Sequence, residues 1–67
     1  MAKIGSKELI RDINSHLVLE IILNEGPISR ANISTKVGLT KATVSAIVAE
    51  LIEKKLVREI GSDCYVN

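Results

Sequence analysis

A single glycine, Gly38, separates two short apolar-periodic stretches, and each stretch opens on a hydroxyl residue. Ser29 stands ahead of Arg30–Val37, and Thr40 stands ahead of Lys41–Lys54. Hydroxyl side chains at such positions accept from the free N–H groups of a first helical turn, so both read as N-caps. Ile33 and Val37 form an i, i+4 pair in the first stretch. In the second, Ile47, Val48, Leu51 and Ile52 follow Val44 at 3, 4, 7 and 8 residues, an inward stripe. Gly38 supplies the positive φ that a sharp turn between crossing helices needs. Leu39 plugs that turn, and Ser34 is small enough for the helices to approach closely. Two helices so joined are a helix-turn-helix pair.

Upstream, the spacing predicts a helix from about Ser6 to Asn24, with Ile10, Ile13, Leu17 and Ile21 inward and Asp12, His16 and Glu20 on a polar stripe. Gly26 suits a left-handed cap there, and Pro27 stops the helix. Leu17 to Leu23 is apolar except for Glu20, more than a single-faced surface helix needs. Close packing within the fold or contact with a second chain or further domain would each absorb the excess. Downstream, Leu56–Ile60 and Cys64–Val66 are β-prone segments around Gly61-Ser62-Asp63 and read as a short hairpin, to which Ile28 can add a third strand. The expected fold is mainly α with a small β-hairpin, a three-helix winged helix-turn-helix. It occupies residues 1–67 as one domain, with helices at about 6–24, 30–37 and 41–54 and a wing hairpin at about 56–66.

Composition narrows the function classes. The chain is 46% hydrophobic with Tyr65 as its one aromatic, so the core is aliphatic. No apolar run is long enough to span a bilayer, and no signal-peptide pattern is present. The lone Cys64 builds no disulfide framework and fits a reduced, cytoplasmic setting. A net charge of +1 says little by itself, but Gly26 to Ala49 holds no Asp or Glu while it holds Arg30, Lys36 and Lys41. A locally basic face of this kind suits phosphates.

The exposed side of the helix opening at Lys41 is the candidate reader. With the inward stripe removed, Lys41, Ala42, Thr43, Ser45, Ala46 and Ala49 remain, all small, hydroxyl-bearing or basic. Small residues let a helix sink into the major groove of duplex DNA, and hydroxyls bond base edges or phosphates. Ala42 or Ala46 suits a thymine methyl. Lys41 and the helix N-terminus favour a phosphate oxygen.

The run Gly26-Pro27-Ile28-Ser29-Arg30-Ala31, then Gly38-Leu39-Thr40-Lys41-Ala42-Thr43-Val44-Ser45, resembles the N-terminal domain of ROK-family regulators, repressors related to sugar kinases. Asn14 and Leu56-Val57-Arg58-Glu59-Ile60-Gly61 fit the same pattern, and the likeness runs from about Lys7 to Gly61. The resemblance implies a DNA-binding domain of a bacterial repressor of carbohydrate-related genes. It implies that Ser29 and Arg30 contact backbone phosphate and that Thr40, Lys41, Thr43 and Ser45 belong to the recognition helix. It also implies a homodimer in the complete protein, and an effector sugar bound only through a domain these residues do not contain. Where the family continues into a Gly- and Arg-rich wing, this chain has Ser62-Asp63-Cys64-Tyr65-Val66-Asn67, which removes the basis for a basic minor-groove contact.

No phosphate loop, nucleophile elbow or paired-carboxylate site is present, so no catalysis is expected and no cofactor is required. His16 with Asp12 and Glu20 reads as a solvated helix face rather than a metal site, and Cys64 lacks partners at zinc spacing. Tyr65 is expected to pack against the helices, with stacking on or hydrogen-bonding to DNA from the wing as the alternative. Arg30 and Lys41 are both expected to be exposed, so that Arg30→Glu or Lys41→Glu would remove DNA binding without touching the fold. The competing reading is a winged helix that binds a protein partner, for which the near-neutral charge, the apolar Leu17–Leu23 segment and the shortened wing speak.

Overall fold

The computed structural model describes residues 7–67, with side chains from Leu9 onward. A helix start at Ser6 lies outside the described residues. The elements run α1 (Lys7–Glu25), β1 (Ile28–Ser29), α2 (Arg30–Val37), α3 (Lys41–Glu53), β2 (Val57–Ile60) and β3 (Asp63–Val66). This is the three-helix winged helix-turn-helix that the pattern predicts. Asp63, expected in the turn, is the first residue of β3, so the hairpin closes tightly on Gly61-Ser62. The sheet order is β1-β3-β2, antiparallel throughout, with Ile28 opposite Cys64 and Glu59 also opposite Cys64.

Every element contributes to one core: Val18 and Ile22 from α1, Ile28, Ile33, the α3 stripe Val44, Ile47, Val48 and Leu51, then Val57 and Cys64. Leu39 and Val37 pack against it from the turn, as does Ile52 from the end of α3. The hairpin is thereby anchored through Val57 and Cys64, which a hairpin this short needs for stability in water.

The packing of α1 differs from the expected one. Ile10, Ile13 and Leu17 are 50%, 51% and 44% exposed, and the residues that enter the core are Val18 and Ile22. Ile21, also expected inward, packs only partly against the core. The helix carries apolar side chains on two flanks, and periodicity alone cannot choose between them. The flank that wins contains Val18 and Ile22 and continues towards the N-terminus through Asn14 and Arg11. In the first half of α1 the flank that leads into the core thus carries the half-buried Asn14 and the exposed Arg11 in place of apolar residues.

Gly26 also has a different task from the left-handed cap expected of it. Among the described residues the positive-φ glycines are Gly38 and Gly61. Gly26 donates to the Ile22 carbonyl at 2.9 Å, and a Cβ on it would collide with that carbonyl while standing 3.2 Å from the Cys64 carbonyl. Its missing side chain lets the end of α1 lie directly on β3.

Candidate nucleic-acid interface

The turn between α2 and α3 is built from local hydrogen bonds. Ser29 Oγ accepts from the Asn32 N–H at 3.1 Å, and Thr40 Oγ1 accepts from the Thr43 N–H at 3.1 Å. Both expected N-caps are thus in place. Gly38 sits at φ 73° and donates to the Ser34 carbonyl at 2.9 Å, a left-handed helix end. Ser34 does more than stay small: its hydroxyl donates to the Leu39 carbonyl and ties the turn to α2. The Thr40 hydroxyl in turn donates to Thr43 Oγ1 at 2.9 Å, which fixes two hydroxyls at the start of α3.

With its stripe locked in the core, α3 presents its other side. Thr40, Lys41, Ala42, Thr43, Ala46 and Ala49 are exposed and Ser45 is half-buried. No acidic side chain interrupts this surface before Glu50.

The basic residues of the acid-free segment are less available than the sequence suggests. Lys36 pairs with Glu25 at 2.8 Å. Arg30 is half-buried, not exposed, and its Nε and one Nη donate to the two oxygens of Glu59 at 2.7 and 2.8 Å. The side chains of that pair are only 31% and 24% exposed. The hydrogen bond from Arg30 is the main reason the Glu59 carboxyl is held below the usual carboxylate range, and the same bond raises the Arg30 guanidinium. Lys41 makes no ion pair among the described residues. Glu59 therefore joins the wing to the first residue of α2. Sequence reasoning missed this pairing because the partners are brought together only by the sheet register.

The hairpin itself shows two further placements. Tyr65, partly buried, faces Arg58 directly across the strands, and the Arg58 guanidinium carbon lies 5.7 Å from the ring centroid. Cys64 is buried, and burial pushes its thiol up to about 11, with Glu59 Oε2 3.7 Å from the sulfur adding to the shift.

Sequence reasoning also missed the neighbours of α3. The first half of α1 runs beside it, and Ile10, Arg11 and Asn14 together with Ala42, Thr43, Ala46 and Ile47 line an open groove of about 440 Å³. One wall of this groove is the exposed face of α3. Among the described residues no group of three His, Cys, Asp or Glu side chains could hold a metal ion, and no helix is long and apolar enough to cross a membrane.

The family described as winged helix-turn-helix DNA-binding matches residues 11–58, which contain the whole of α2, the turn and α3. The chain belongs to that family. This winged-helix domain is also 41% identical over 58 residues to the xylose repressor of Bacillus subtilis, covering 87% of this chain and 15% of that protein. It is 47% identical over 57 residues to the xylose repressor of Caldicellulosiruptor bescii, covering 85% and 14%. It is 39% identical over 59 residues to the DNA-binding transcriptional dual regulator NagC of Escherichia coli, covering 88% and 14%. The resemblance to the N-terminal domain of ROK-family regulators is borne out by these relatives. The winged-helix domain spans about one seventh of the length of each.

Proposed function

We propose that this winged-helix domain reads duplex DNA by placing the N-terminal half of α3 in the major groove, and that it does so for a bacterial transcriptional repressor. One observation carries the reading: an exposed, acid-free surface of Lys41, Ala42, Thr43 and Ala46 stands on a helix rigidly capped by Thr40 and braced by the Gly38 turn. Small side chains let the helix axis approach the base edges, where Ala42 and Ala46 meet thymine methyls and Ser45 and Thr43 offer hydroxyls. Lys41 and Ser29 hold phosphates while Thr40 keeps the cap in place, and Arg30 joins them through the N–H groups that Glu59 leaves over, since a guanidinium carries five donors. Occupancy of the operator blocks transcription.

The names of the relatives support a regulator of carbohydrate-related genes, with a homodimer in the complete protein placing two domains on half-sites about one helical turn or a multiple apart. An effector sugar would act through a further domain. The role is binding, not catalysis, and it belongs in the cytoplasm with the DNA. Lys41→Glu tests the reading: the account expects duplex binding to fall at least about tenfold with the melting temperature unchanged, because the side chain is exposed and unpaired. Unchanged affinity would contradict it. The outward stripe of Ile10, Ile13 and Leu17 favours the second reading, a protein-contact module, and Ile13→Ser rather than Lys41→Glu would then remove function.

A further inference from the structure

We infer that the groove between α1 and α3 seats the sugar–phosphate strand that borders the base pairs read by α3, with Asn14 and Arg11 donating to its phosphates. The inference rests on the proposed reading of α3 and extends the contact surface to a helix outside the helix-turn-helix pair.

The first half of α1 carries polar residues on the flank that is apolar and buried further along. Val18 and Ile22 are buried at 0% and 1% exposure, and the positions one and two turns before Val18 on the same flank are Asn14 and Arg11. An aliphatic side chain at Asn14 would continue the apolar flank of Val18 and Ile22. Instead a carboxamide lines the groove, half-buried, with no hydrogen-bond partner among the described residues. The carboxamide is open to solvent in the groove and offers two N–H donors and one acceptor to what enters it. Of the apolar residues in this half of α1, Ile10 lines the same groove, while Ile13, 51% exposed, does not.

The charge around the groove selects the occupant. Arg11 stands at its rim with a 61% exposed side chain, and one Nη donates to Glu50 at 2.7 Å. Glu50 is also met by Lys54 at 3.2 Å, so its carboxylate is matched by two cations. Arg11 retains most of its five donors for an outside acceptor. The far wall is Ala42, Thr43 and Ala46, which the proposed complex holds against base edges. A helix seated in the major groove has a phosphate strand along each side, so the α1 wall meets one of them. The groove then offers the Asn14 and Arg11 donors to phosphate oxygens and the apolar side chains of Ile10 and Ile47 to the sugar carbons.

Fluorescence anisotropy of the 67-residue chain with a mixed-sequence duplex of about 20 base pairs, taken across a salt series, tests this. Asn14→Ala is expected to weaken binding several-fold and Asn14→Asp by about tenfold or more, because the latter sets a carboxylate against phosphate. Arg11→Gln is expected to lower the slope of log affinity on log salt by about 0.9, the loss of one phosphate contact. Parental affinity and slope in Asn14→Asp and Arg11→Gln, while Lys41→Ala still weakens binding, would overturn the inference and leave the reading of α3 standing. Absence of salt-dependent binding by the parent would remove both. Should Asn14→Asp melt early, the side-chain amide signals of Asn14 in the parent decide: they shift on adding duplex if the inference holds, and unmoved signals overturn it.

Discussion

Arg30 and Lys41 look alike in sequence, two basic residues opening two helices, yet the fold gives them different energetics. Lys41 is solvated and free of ion pairs among the described residues, so Lys41→Glu is expected to leave stability within about 0.5 kcal/mol of the parent while removing DNA affinity. Arg30 is forked onto Glu59, and Arg30→Glu sets two carboxylates against each other in a half-buried place. The expected cost is about 1–3 kcal/mol, visible in urea unfolding before any DNA is added. The pair has a pH signature. Because Glu59 titrates lower in the folded chain than unfolded, its stabilisation is present above the ordinary carboxylate range and is lost as pH falls through the depressed folded value. Urea midpoints measured from neutral to acid pH should fall, and Glu59→Gln should flatten part of that fall. Cys64 acts in the opposite direction. With its thiol raised to about 11 in the fold, stability declines as pH climbs from its ordinary 9.0 towards that value. At pH 8 the thiol stays protonated and buried, so a thiol reagent should label the folded chain only at the rate at which it opens. The caps at Ser29 and Thr40 were legible in the sequence because each bond spans three residues. The Arg30–Glu59 fork was not, because it spans 29 residues and exists only through the pairing of β3 with β2 and β1.

Among the elements, α2 and α3 were legible nearly to the residue, since caps, a positive-φ glycine and a single clear apolar stripe all agree. The α1 helix was legible as a helix but not in its orientation. Two apolar flanks compete there, and the one that carries Val18 and Ile22 is buried, next to the end where Gly26 lies on β3. The consequence is measurable. Ile13→Ala and Leu17→Ala should cost under about 1 kcal/mol in this chain, whereas Ile22→Ala should cost about 2–5 kcal/mol, from the burial of each. The two glycines also separate by mechanism. A Cβ at Gly38 meets nothing within 4 Å, so Gly38→Ala costs only the left-handed backbone, about 1 kcal/mol. At Gly26 the added carbon meets the Ile22 carbonyl, and Gly26→Ala should cost more than Gly38→Ala because α1 must move off the sheet. Thermal melts of the two variants check the order.

At the scale of the molecule, a chain of 67 residues draws its core from all six elements, so the reading helix is held by everything else in the fold. The α3 stripe supplies four of the ten buried apolar residues among the described ones, which makes the opposite face of α3 a rigid surface rather than a mobile one. The candidate interface was therefore legible on α3, where inward and outward residues alternate cleanly. Its extension onto α1 was hidden by the same ambiguity that hid the orientation of that helix. An amide NMR titration of this chain with a generic duplex, at low and then higher salt, tests the central claim most directly. The account predicts shifts concentrated from Thr40 to Ala46, with Arg11 and Asn14 beside them, all weakening as salt rises. Unmoved α3 signals at low salt would contradict it and direct attention to the outward apolar stripe of α1 as a protein-binding surface.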